Sequence, residues 1–247
     1  ARQFGPLTVG HPVFGHVDGH AELYSIAKHR KANRYEGAAE QRPWTGWHAD
    51  VTAAHNPPAA SILRGVTLPP YGGDTQWTNL AAAFDALSSP FQQFVSGLRG
   101  VHQFSPPEGA QATDEYRQLV RNRRLVTEHP LVTVHSETGE KVLYVSPGFL
   151  QRVVGVAPRE SRVLLEYLWE HAVSSEFTVR FKWAPGSIAF WDNRSTAHLP
   201  PKDIFALDFE RQLYRATLVG EVPVGVDGRP SVAVEGDPVL AAHTAAY

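Results

Sequence analysis

Two histidines and an aspartate open the chemical reading of this chain. In Trp47-His48-Ala49-Asp50, the imidazole and carboxylate stand at i and i+2. On an extended segment such positions share one face, with Ala49 turned away. One imidazole and one carboxylate side by side can offer two adjacent ligands to a metal ion. A second imidazole could complete a two-His-one-carboxylate set that leaves the other coordination positions open, the donor set of non-haem Fe(II) oxygenases. An H-x-D triplet alone recurs by chance, and the alternative is a pair of ordinary polar residues. His198 is the candidate third ligand. It follows the apolar run Ser187-Ile188-Ala189-Phe190-Trp191 after a short polar turn. It aims back into a barrel mouth or else is a satisfied loop histidine. The chain contains no cysteine, so thiolate sites, disulfides and Cys nucleophiles are excluded and any metal must sit on His, Asp or Glu.

Arg211 and Arg215, in ERQLYRATLVG, are the second feature. As a strand, this segment puts Arg211, Leu213, Arg215, Thr217 and Val219 on one face, with the two arginines about 13 Å apart at roughly 3.3 Å per residue. If that face points inward, each guanidinium needs an anion, because an unpaired buried charge is costly. If it points outward, both are solvated.

Many short strands with a few inserted helices must position these groups, which predicts a mainly β fold, a two-sheet jelly roll (double-stranded β-helix), rather than alternating βαβ units. Residues 177–183 alternate, and after the turn Ala184-Pro185-Gly186 residues 187–191 are expected to pair with them as a hairpin. Strands are also expected over 59–68, 131–135, 141–146 and 213–219, with a hairpin at Glu137-Thr138-Gly139-Glu140. Helical spacing marks 158–173, and helices are expected at 79–87, 90–98 and 114–124. Residues 104–113 (FSPPEGAQAT) read as a mobile loop, either a plain connection or a lid.

The 247 residues, 43% apolar and 19% charged, have globular composition and fit one domain over 1–247. A net charge of -2 gives no basic field for nucleic acid or an anionic membrane, and no apolar run is long enough to cross a bilayer. The cysteine count fits a cytoplasmic protein, and apolar faces leave room for a homo-oligomer. The absence of methionine and the abrupt start lead us to expect that a natural N-terminal segment is missing.

Four blocks in order, WHADVT (47–52), GGDTQWTN (72–79), FWDNRSTAH (190–198) and RQLYRATLVG (211–220), resemble the taurine dioxygenase (TauD/TfdA) family of Fe(II)- and 2-oxoglutarate-dependent dioxygenases. The resemblance runs from about His11 to about Gly228. It implies that His48, Asp50 and His198 bind iron, and that Thr75 and Arg211 hold the distal carboxylate of 2-oxoglutarate, with O2 as cosubstrate. It also implies that His11, in HPVF, and Arg215 bind an anionic substrate, with Phe14, Val51 and Phe149 in the same pocket. Two departures bear on substrate. Taurine-using members carry a Phe where this chain has Ala53, which would widen the pocket, and an Asn where it has Trp44. The C-terminal GEVPVGVDGRPS resembles the alkylsulfatase branch. The expected substrate is a small or medium anion, an alkyl sulfonate or alkyl sulfate, with a carboxylate as the alternative. The competing functions are a jelly-roll binding protein without catalysis and a Zn(II) hydrolase on the same ligands. Asn193 or Asp192 would orient His198, or merely shape a turn.

Overall fold

A computed structural model describes residues 1–27, 34–206 and 208–242. In chain order its elements are β1 (Tyr24–Ala27), β2 (Tyr35–Glu36), β3 (Ala60–Thr67), β4 (Thr75–Asn79), α1 (Leu80–Asp85), α2 (Ser89–Ser96), β5 (Arg99–Gln103), β6 (Gln111–Ala112), α3 (Asp114–Asn122), β7 (Val126–Pro130), β8 (Val132–Val134), β9 (Lys141–Leu143), β10 (Leu150–Val153), α4 (Pro158–Ala172), β11 (Thr178–Phe181), β12 (Ile188–Asp192), β13 (Thr196–Leu199), β14 (Gln212–Thr217) and β15 (Val232–Glu235). The expected mainly β jelly roll is borne out. One sheet runs β1-β14-β3-β12 and a second β11-β4-β13. Between them lies an aromatic core of Leu63, Trp77, Trp183, Trp191 and Leu213, drawn from both sheets. A further sheet, β10-β5-β7-β15, extends the body.

The four expected helices form, each ending one or two residues early. Pro158 starts α4, where its missing N–H costs nothing, and the Glu160 carboxylate accepts from Ala157 N–H at 2.9 Å. Leu165, Leu168 and Ala172 then share one stripe and are buried against α1 and the β8–β9 hairpin; each Leu so buried is worth roughly 1.5–3 kcal/mol. That hairpin closes at the Glu137–Glu140 turn as expected. Among the described residues no helix is long and apolar enough to cross a membrane.

One expectation fails. Residues 177–183 and 187–191 do not pair: β11 joins β4 and β12 joins β3. The intervening turn carries the chain from one sheet to the other. Trp183 drops into the inter-sheet core, and the turn then bonds to β3. Gly65 N–H donates to Ser187 O and Gly186 N–H donates to Gly65 O, both at 2.9 Å. The alternation of residues 177–183 does not bury every apolar position, since Val179 on this sheet edge is 62% exposed.

Candidate active site

His48 and His198 are cross-strand neighbours. Each donates its backbone N–H to the other's carbonyl, at 2.9 and 2.7 Å, and their rings lie 4.2 Å apart. His198 sits on β13. His48 belongs only to this isolated bridge, and Asp50 begins a turn, so the expected strand through both residues is not there. Val51 takes a left-handed conformation (φ 49°), a strained one for a β-branched residue, and the turn swings the carboxylate toward the imidazoles. One donor atom from each of His48, Asp50 and His198 lies within 4.8 Å of the others. Gly148 permits the packing, since a Cβ there would lie 2.9 Å from the His48 Cβ.

Burial lowers the pKa of His48 against the opposing pull of Asp50. Burial, then the neighbouring His48, lowers His198 to about 3. Both imidazoles are therefore neutral and carry a lone pair, the form a metal requires. His48 Nδ1 donates to Gly46 O at 3.0 Å, which leaves Nε2 as the lone-pair nitrogen. His198 Nδ1 is buried with no hydrogen-bond partner among the described residues. Burial also opposes ionisation of Asp50. Arg215, the two imidazoles and Ser61 outweigh it and hold the carboxyl below the ordinary range. Arg215 Nη1 donates to Oδ1 at 2.5 Å and Ser61 Oγ to Oδ2 at 2.6 Å. Ser61 in turn accepts from Asn193 Nδ2 (2.9 Å), and Asn193 Oδ1 accepts from Trp191 Nε1 (2.9 Å). Asn193 thus reaches Asp50 rather than His198. Asp192 shapes the turn, accepting from Arg194 N–H at 2.8 Å.

The inward reading of β14 is borne out: Arg211 and Arg215 are both buried. Arg211 lies just before the strand, followed by a bulge at Gln212/Leu213. Its Nη2 donates to Gly73 O at 3.2 Å, its Nε has no partner among the described residues, and burial lowers its pKa to about 10. Gly73 has φ +73°, and a Cβ there would come 3.3 Å from Arg211 Nε. Thr75 Oγ1 accepts from Trp183 Nε1 at 2.9 Å, so its own proton is left for an acceptor. Thr75 and Arg211 line the same cavity of about 1060 Å³ as the triad. A buried, incompletely paired guanidinium beside an available hydroxyl donor fits a carboxylate.

The structure gathers every expected substrate residue around this cavity: His11, Phe14, Val51, Phe149 and Arg215 all line it. His11 Nδ1 accepts from Val13 and Phe14 N–H, both at 3.1 Å, which puts the ring proton on Nε2. Tyr24 pairs with Arg215 across β1 and β14, and the Arg215 guanidinium lies 5.2 Å over its ring. Sequence reasoning missed Arg34. Its Nη2 donates to Tyr24 OH at 3.1 Å, and its guanidinium stacks 3.8 Å from the Phe14 ring centre. No local motif marks it; the β2–β6 ribbon places it. That ribbon also ties residues 111–112 to 35–36, so the 104–113 segment is partly ordered as strand, with residues 104–108 in the cavity wall. Ala53 does not line the cavity. It is fully buried in an apolar cluster behind it, and Phe104, 5.0 Å from Phe149, provides aromatic wall. Trp44 does line the cavity, with its ring 6.0 Å from Trp169 of α4.

The family model described as "Taurine catabolism dioxygenase TauD, TfdA family" matches residues 1–215. The chain belongs to the TauD/TfdA family. A sulfate ester dioxygenase of Pseudomonas putida, described as alpha-ketoglutarate-dependent, is 37% identical over 90% of this chain and 72% of its own length. An alkylsulfatase of Acinetobacter baylyi is 35% identical over 89% and 68%. The crystal structure of a taurine dioxygenase from Burkholderia xenovorans is 64% identical, covers 95% of this chain and 75% of its own, and superposes with a TM-score of 0.80. As a TauD/TfdA member this chain is an Fe(II)- and 2-oxoglutarate-dependent dioxygenase. The donor set fits that metal, and the Thr75–Arg211 corner fits that cosubstrate.

Proposed function

We propose that the enzyme hydroxylates a small or medium alkyl sulfate or alkyl sulfonate, with His48, Asp50 and His198 holding iron, Thr75 and Arg211 holding the distal carboxylate of 2-oxoglutarate, and Arg215, His11 and Arg34 receiving the substrate's anionic head. The observation that carries this reading is one cavity that contains a His-Asp-His cluster, with Asp50 and His198 buried, and two buried arginines. Sulfate ester and alkylsulfatase relatives at 37% and 35% identity support the head group.

Iron and 2-oxoglutarate, when bound, supply O2 activation and the removal of hydrogen from a substrate carbon, with succinate and CO2 as co-products. The chain's own residues bind, orient and exclude. Burial keeps both imidazoles neutral. Phe104, Phe149 and Phe14 wall the cavity and keep water from the reacting carbon. The Arg215 guanidinium and the His11 Nε2–H donate to the head group and so set which carbon faces the metal. Once hydroxylated, a carbon bearing the sulfur group cleaves to an aldehyde and releases sulfate from the ester or sulfite from the sulfonate. No cysteine and a small-molecule substrate fit a cytoplasmic enzyme. Exposed Phe94, Val163 and Tyr167 on α2 and α4 support self-association.

The test is a substrate panel of linear alkyl sulfates, alkyl sulfonates and aryloxy carboxylates, scored for succinate together with sulfate or sulfite. Substrate-dependent succinate with stoichiometric sulfate or sulfite supports the reading. Turnover confined to carboxylates overturns the head-group assignment.

A further inference from the structure

The path Trp191–Asn193–Ser61–Asp50 has only one self-consistent direction. An indole N–H donates and cannot accept. Trp191 Nε1 contacts Asn193 Oδ1 at 2.9 Å, which settles the amide orientation and turns Nδ2 toward Ser61. Ser61 Oγ must accept from that amide, so its single proton goes to Asp50 Oδ2, at 2.6 Å. Ser61, Asn193 and Asp50 are 0%, 2% and 3% exposed, so water does not compete for these bonds. The same Trp191 ring lies 5.1 Å from the His198 ring, and Trp191 pairs directly with Ser61 across β12 and β3. Two sheet neighbours thus meet the carboxylate and one of the imidazoles.

We infer that Trp191, Asn193 and Ser61 are positioning residues that, with Arg215 on the other oxygen, fix the rotation of the Asp50 carboxylate. The constraint keeps Asp50 from swinging both oxygens onto the metal and taking a coordination position that 2-oxoglutarate needs. It rests on the iron and 2-oxoglutarate reading above. The sequence signature is Asn193, one residue beyond a strand whose Trp191 faces inward, together with a small hydroxyl at Ser61. Each member is an ordinary residue alone; only the path between them has a direction.

The experiment uses the full chain loaded with Co(II). It measures the Co(II) visible spectrum and the dissociation constants for Co(II) and 2-oxoglutarate in wild type, Ser61→Ala and Asn193→Asp. The second variant is isosteric and reverses the relay, because its carboxylate takes the Ser61 proton away from Asp50. We expect both variants to keep wild-type circular dichroism, with Co(II) affinity within about tenfold of wild type. The Co(II) spectrum should change, and the 2-oxoglutarate dissociation constant should rise about 10- to 100-fold, the scale on which losing a partner of a metal ligand alters metal affinity or activity. A purely structural role would lower thermal stability and leave spectrum and affinity alone. If Ser61→Ala is insoluble, Asn193→Asp carries the same expectation. Wild-type spectra and 2-oxoglutarate affinity in the soluble variants overturn the inference. If wild type itself takes up neither Co(II) nor 2-oxoglutarate, the parent reading falls instead.

Discussion

The two ends of the cavity are built differently. At the metal end, His198, Ser61, Trp191 and Arg215 stand on paired strands of two facing sheets, and both Asp50 carboxylate oxygens have named partners. At the substrate end, His11, Phe14, Arg34, Trp44 and Phe104 come from segments outside the strands, and aromatic and cation–π contacts hold them. A strand ladder fixes a side chain against neighbours on both sides, whereas a loop can change residue and length without disturbing the ladder. The contrast assigns metal and cosubstrate chemistry to the first end and substrate choice to the second.

Asp50→Ala tests the metal end most severely. It removes a ligand and strands the buried Arg215, which costs roughly 3–5 kcal/mol of stability. Metal content by mass spectrometry and succinate formation should both fall to background, with a lowered thermal midpoint. Arg211→Gln should raise the 2-oxoglutarate dissociation constant about 10²-fold, as losing one partner of a buried charge pair costs roughly 2–5 kcal/mol. The substrate KM should stay within a few-fold. Equal loss in both would erase the distinction between the ends.

Acid should attack the scaffold behind the metal end. His129 and His102 are both fully buried, and His129 Nε2 meets Thr52 O at 2.8 Å, behind the Asp50 turn. Burial lowers His129 to about 3, and burial with His129 nearby lowers His102. The unfolded chain therefore binds more protons than the folded one below the ordinary histidine pKa of about 6.5. Stability is fully present above that pH and falls as pH drops toward the folded value, by about 1.4 kcal/mol per pH unit for each histidine. Urea unfolding at a series of pH values checks the slope, and His129→Gln should flatten it.

At the substrate end, Arg34→Gln should raise KM for an alkyl sulfate about tenfold, the worth of one charge-assisted bond at roughly 1.5 kcal/mol, with 2-oxoglutarate affinity unchanged. Trp44→Ala should give the smallest effect, a few-fold shift in kcat/KM toward longer chains, on the scale of about 0.8 kcal/mol for one buried CH₂. A profile of chain length against kcat/KM shows it. No shift would remove Trp44 from the cavity's selective wall.

The sequence made the charged chemistry legible because charge demands partners. An H-x-D pair, a distant histidine and two arginines spaced on one face can be read as groups that must meet. Helix α4 was legible through its 3.6-residue spacing. Asp50 was placed on the wrong backbone type, because nothing local announces that Val51 takes a left-handed turn. The false hairpin has a similar cause: a three-residue turn says nothing about which sheet receives the next strand, and Trp183 decided it by burial. Ser61 was invisible, since a serine in a strand carries no signal until its neighbours across β12 are known. Arg34 was missed for the same reason, and Ala53, expected to widen the pocket, lies outside its lining.

The backbone bridge between His48 and His198 has a temporal consequence. The two imidazoles lie 150 positions apart in the chain, so a nascent polypeptide displays the first for roughly 8–30 s of synthesis before the second exists, at about 5–20 residues per second. Tight capture of iron must wait until β13 has closed onto β4. Loading is thereby a late checkpoint of maturation, and a prematurely terminated product would lack the complete set of ligands needed to sequester a redox-active ion.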